Sequence, residues 1–176
     1  MSRRRALLTY AFVALVAGGL GFLVRGAAAG DEAPAGEMEK PIDQHALVKS
    51  LVGSWTTKAT SALGAMSGTA THGLECGNTI LLTRTSGKAE AIGAFHGLGV
   101  LKFSADGKTA TQWWFDSGMD TALVMTGPVT ADGYTIEGSN KLGSSKTTLT
   151  KKGDGFELKI WADGAEFMTE TQTKAK

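Results

Sequence analysis

From Gly53 to the end of the chain, apolar residues recur at every second position, and glycine-bearing turns interrupt them at short intervals. A period of two belongs to a pleated strand with one dry and one wet face; an amphipathic helix would repeat at about 3.6 residues. The clearest case is Lys88–Phe103. Its odd positions Ala89, Ala91, Gly93, Phe95, Gly97, Gly99, Leu101 and Phe103 are apolar or glycine, while its even positions include Lys88, Glu90, His96 and Lys102. One straight strand of that length outruns a small domain. Gly93, Gly97 and Gly99 are therefore expected to bend it and let the sheet curl onto itself.

The other strands follow the same rule. One opens at Gly53-Ser54-Trp55, a second runs from Met66 to about Cys76, and a third from Asn78 to Thr85, turned by Ser86-Gly87. Asp106-Gly107, Ser117-Gly118, Asp132-Gly133, Gly143-Ser144, Asp154-Gly155 and Asp163-Gly164 punctuate the remainder, with Met119–Thr126 as one of the strands between. About ten short strands result, with no crossover helix between any two. The expected fold is all-β: an antiparallel up-and-down barrel, since closure removes the exposed edges of a meander. Ahead of it, Asp43 is placed to cap a short helix through Leu51, with Ala46, Leu47, Val48 and Leu51 as its apolar side and His45 at its exposed start. That helix is expected to cover one end of the barrel.

The first 29 residues are of another kind. Met1–Arg5 is basic, Ala6–Val24 is an uncharged apolar run, and Ala27-Ala28-Ala29 supplies the small residues that a signal peptidase reads. This is the pattern of an export signal with a mature start near Gly30. An uncleaved N-terminal anchor is the alternative, because the run is long enough to span a bilayer. Either way the arginines keep the start of the run on the cytoplasmic side, so the following domain is expected in the periplasm or outside the cell, or held at the outer side of the cytoplasmic membrane. Residues 30–42 are acidic, small and aperiodic, which reads as a flexible linker, and 43–176 form the barrel domain.

Charge excludes one class of partner. The whole chain is formally +1, but four arginines and no acids lie in the first 29 residues, and the remainder carries 14 basic against 17 acidic groups. No basic cluster remains there to bind nucleic acid. A single cysteine, Cys76, rules out an internal disulfide, so the domain must hold by packing; the alternation puts that thiol on the inner face.

Three features together resemble a known group: the short helix, Gly53-x-Trp55 opening the first strand, and the meander that follows are similar to the lipocalin-like, or calycin, barrels. More narrowly, Leu51-Val52-Gly53-x-Trp55, Gly97-x-Gly99 leading to Phe103-x-x-Asp106, and Trp114-Phe115-Asp116-Ser117 resemble the DUF1579 family of uncharacterised bacterial proteins. The resemblance spans roughly 43 to 174. It implies a barrel with a possible interior cavity and marks Gly53, Trp114, Asp116 and Ser117 as motif positions. It implies no reaction.

Catalytic patterns are absent: the chain has no HExxH, GxSxG, phosphate-binding loop or paired-cysteine metal motif. The expectation is a binding protein with no enzyme activity, no metal and no cofactor, taking a small apolar or amphipathic molecule into the barrel. Trp55, His72, Phe95, Leu101, Phe103 and Trp113 are the candidate lining. Trp113 and Trp114 are adjacent, so only one faces inward. An outward Trp114 beside Asp116 would be either a rim contact or, the favoured reading, an indole donating its N–H to the carboxylate to fix the turn. His72 is the inward histidine, which leaves haem ligation as a minor alternative, while His96 points out. The competing functional reading is a barrel filled by its own side chains that serves as an interaction module at the cell envelope; a barrel enzyme, an isomerase or hydrolase with His72 as its one interior acid or base, is a lesser alternative.

Overall fold

The computed structural model describes residues 40–141 and 143–176. The expected export segment and most of the acidic linker lie outside them. Among the described residues, one helix, α1 (Ala46–Leu51), precedes ten strands: β1 (Gly53–Ser61), β2 (Gly64–Glu75), β3 (Ile80–Ala89), β4 (Gly93–Phe103), β5 (Thr109–Asp116), β6 (Leu123–Thr130), β7 (Gly133–Asn140), β8 (Gly143–Lys152), β9 (Gly155–Ala162) and β10 (Ala165–Lys174). Each strand pairs antiparallel with its neighbours in sequence, and β1 pairs with β10 from Trp55↔Lys174 to Ser61↔Met168. The expected up-and-down barrel is closed, and among the described residues its sheet leaves no open strand edge.

The helix plugs the end of the barrel where β1 begins. Leu47, Val48 and Leu51 bury themselves against Trp55, Leu81, Leu101, Phe103, Ala110, Leu149 and Phe156. Trp55 is 1% exposed; its indole donates to the Leu51 carbonyl at 2.7 Å, and its ring meets Phe156 edge to face at 5.3 Å. That bond satisfies one of the helix's orphan C-terminal carbonyls from inside the core. Gly53, between plug and strand, takes φ +131°, a region that side-chain-bearing residues rarely enter. Ile42, assigned to the linker from sequence, is buried in this core and donates its backbone N–H to Asn78 O. The segment Lys40–Lys176 therefore carries a complete core and a closed sheet, the requirements for folding alone.

Four expectations are corrected. The helix N-cap is His45, not Asp43. A turn closed by His45 N–H to Ile42 O brings its ring edge-on to Phe103, and Nδ1 accepts from Leu47 N–H. Ala46 consequently faces solvent. Ser86-Gly87 is not a turn: β3 continues to Ala89, and the reversal comes at residues 90–92. Gly87 is needed for close approach, since a Cβ there would sit 2.9 Å from the Phe95 ring. Cys76 is exposed, in a turn at φ 51°, because β2 ends one residue earlier. Finally, β6 starts at Leu123 rather than Met119, after a longer loop.

Candidate functional site

Parity places side chains inside or outside the barrel. Register pairs Trp114 with Gly99 and Leu123, and Gln112 with Leu101 and Met125, all on the inner face. A Cβ on Gly97 would lie 2.5 Å from Trp114 Cζ2, so the indole fills the inner space that two glycines leave. Trp114 is therefore the inward tryptophan. Trp113, expected to line the interior, lies outside, between Val100 and Val124. The reason is that strand phase in β5 is set by its pairing to Gly97 and Gly99, which accept a large ring opposite them. The indole–carboxylate contact expected of an outward Trp114 is made instead by the inward one: Trp114 Nε1 donates to Asp116 Oδ2 at 3.2 Å, and Asp116 Oδ1 accepts from Gly118 N–H at 2.8 Å, which fixes the turn. Ser117 ties the same corner to β4 through both backbone and hydroxyl bonds to His96.

The interior divides into three levels. At the helix end, Trp55, Leu101 and Phe103 are buried in the core. Above them runs a polar belt of Thr57, His72, Thr83, Gln112, Thr147, Glu170 and Gln172. His72 Nδ1 and Thr83 Oγ1, register partners on β2 and β3, are 2.8 Å apart. Gln172 Nε2 donates to Glu170 Oε1 at 2.8 Å. Gln172 also lies near enough to His72 to favour its charged form, yet no hydrogen bond closes between them: His72 Nε2 and Gln172 Oε1 are both buried without a partner, as is Thr85 Oγ1. Nothing in sequence spacing alone pairs these groups. The signal available was that Glu170 and Gln172 share their face with the buried Met168.

Burial sets the charge of the belt. Desolvation lowers the His72 pKa to about 4, only partly countered by Gln172, so the ring is neutral near pH 7. Burial pushes the Glu170 carboxyl above its ordinary range, opposed by the Gln172 bond. The Tyr134 phenol is raised as well, first by burial and then by the nearby Glu170 charge.

The third level is a mouth, at the end opposite α1. Met66, Phe95, Trp114, Leu123 and Ile160 all point inward there, and all are only half-buried. Deeper in, Tyr134, Leu158 and Glu170 are inward and half-buried too, although Tyr134 and Leu158 pack on the sealed core. These inward side chains keep accessible surface at the end of the barrel that α1 does not cover. The inward side chains thus form three layers: apolar walls at the open end, a polar floor and an apolar plug beneath. Phe95 is in the wall and His72 in the floor. The Nε2 of His72, the atom that a haem iron would need, is enclosed beside Gln172. Among the described residues no group of three or more His, Cys, Asp or Glu side chains converges as for a metal ion.

A second concavity lies outside the barrel, a shallow groove of about 560 Å³ lined by Thr71, Arg84, Ser86, His96, Leu98 and Phe115 among others.

A family model described as "Protein of unknown function (DUF1579)" matches residues 40–170. No curated protein matches the chain. Among solved structures, a redesigned β-barrel, mFAP1, bound to DFHBI is similar at TM-score 0.47 and 12% identity, covering 73% of this chain and 98% of its own. Another redesigned barrel, b11L5F_LGL, is similar at TM-score 0.45 and 13% identity over 76% of this chain and 98% of its own.

Proposed function

This chain belongs to the DUF1579 family of proteins of unknown function, and from that premise we propose that it is an exported barrel that takes a small amphipathic molecule into its open end. One observation carries the reading: inward side chains are sealed at the helix end, with Trp55 and Phe156 each 1% exposed, but half-buried at Phe95, Trp114, Leu158 and Glu170 toward the mouth. An apolar body against Phe95, Trp114 and Ile160 is favoured by roughly 25 cal/mol per Å² removed from water. A polar end directed at the floor would meet Glu170, Tyr134 and Thr85, of which Thr85 Oγ1 is buried without a partner. Unpaired buried polar atoms cost about 1–3 kcal/mol each, so a ligand that supplies partners recovers part of that cost. Export, from the pattern in the first 29 residues, would place this open end outside the cytoplasm.

Native mass spectrometry of the chain purified from its own host tests this. The expected result is a mass adduct in the small-molecule range that organic solvent removes. An adduct-free spectrum that stays so after incubation with host lipid extract would contradict it.

A further inference from the structure

The outside of the barrel is uneven. Most outward positions carry threonine, serine or mixed charge, such as the Lys146–Glu137 pair across β7 and β8. The outer face of β3 to β6 differs. Cross-strand register assembles Leu82, Val100, Trp113 and Val124 into one row and Arg84, Leu98 and Phe115 into the next. Leu98, Phe115 and Val124 are 37%, 44% and 42% exposed, and Ile92 in the β3–β4 turn is 48% exposed. These are the large hydrophobic residues exposed among the described ones. Every charged side chain on the outward positions of these four strands is basic or a histidine: Arg84, Lys88, His96 and Lys102.

We infer that this face docks on a bilayer surface bearing anionic headgroups. Three properties select that occupant over a protein knob or a second copy. The charge on the outward strand positions is of one sign, with Glu90 in the β3–β4 turn and Asp116 in the groove the acidic groups beside it, and it repels an identical face and attracts an anionic layer. The apolar residues include a tryptophan and a phenylalanine beside basic groups, the mixture that settles at the boundary of headgroup and acyl chain. The groove on the mouth side of the second row is shallow and lined by Arg84, His96 and the hydroxyls of Thr71, Ser86 and Ser117, which suits phosphate oxygens rather than a deep side-chain anchor; the Asp116 carboxylate also lines it, with its oxygens held by the Trp114 indole and the Gly118 N–H. The basic, apolar N-terminal pattern of the same chain brings the domain to a membrane during export, where such a face has a surface to meet. The proposal does not depend on the barrel interior.

The Lys40–Lys176 segment, incubated with phosphatidylcholine vesicles with and without phosphatidylglycerol, provides the test. Co-sedimentation is expected with the anionic vesicles only, weakening as salt rises. Arg84→Gln should lower partitioning about fivefold, and Leu98→Ser and Phe115→Ser each by roughly tenfold, with unchanged melting temperature. Thr148→Ser on the opposite side of the barrel should change nothing. Equal binding to neutral vesicles, no binding to either, or indifference to all three face variants would overturn the proposal. So would a dimer in sedimentation velocity that Phe115→Ser dissolves, since a second copy would then cover the face.

Discussion

Trp114 occupies the space that a side chain at Gly97 would need: a Cβ built there lies 2.5 Å from Cζ2 of the indole. The contact joins β4 to β5 inside the mouth and fixes which tryptophan of the adjacent pair enters the barrel. Gly97→Ala should therefore destabilise the fold by roughly 1–3 kcal/mol, as overpacking does. Replacing Trp114 by leucine in the same chain should relieve the indole's share of the clash, leaving Thr85 Oγ1 at 2.6 Å. A double-mutant cycle in urea should then show the pair less destabilised than the sum of the singles.

Asp116 holds two donors with its two oxygens, the Trp114 indole and the Gly118 backbone. An asparagine in its place would turn an N–H toward one of them. Asp116→Asn should cost about 1–2 kcal/mol, read as a lower melting temperature at neutral pH. Equal stability of the two proteins would mean that the corner does not depend on the carboxylate.

His72 predicts a pH dependence. Its pKa falls from 6.5 in the unfolded chain to about 4 in the barrel, so between those values the unfolded state binds the extra proton. Stability is full above pH 6.5 and is lost as pH falls toward 4, by about 3 kcal/mol for this group. Glu170 acts in the opposite sense: its raised pKa lets the folded chain keep a proton more readily, so its contribution favours the fold in acid and fades as pH rises through the folded value. The two oppose each other in the wild type. Comparing urea midpoints of wild type and His72→Gln across roughly pH 4 to 6.5 isolates the histidine, and the variant should show the shallower acid loss.

The sequence made the architecture legible because strand phase is written in every second residue, and closure follows from a meander without helices. It could not settle positions whose phase depends on a partner strand. Trp113 and Trp114 both suit either face, and only the two glycines opposite Trp114 decide between them. Gly87 reads as a turn residue, but it is required by Phe95 on the next strand. The polar belt was half legible: His72 showed by parity, whereas the polar Glu170 and Gln172 carry no local mark of burial and are enclosed only by β9 and β1. The floor depends on contacts between strands far apart in sequence, which no local spacing encodes.

The open end of the barrel is the central claim, and Nile red titration of the Lys40–Lys176 segment tests it most directly. The dye should bind saturably at one site with increased emission. Ala59→Phe or Met66→Trp, which fill the mouth from β1 and β2, should abolish binding while near-UV circular dichroism stays native-like. Phe115→Ser, on the outer face, should leave it intact. Binding that survives both mouth-filling variants and disappears with Phe115→Ser would place the site outside the barrel and contradict the account.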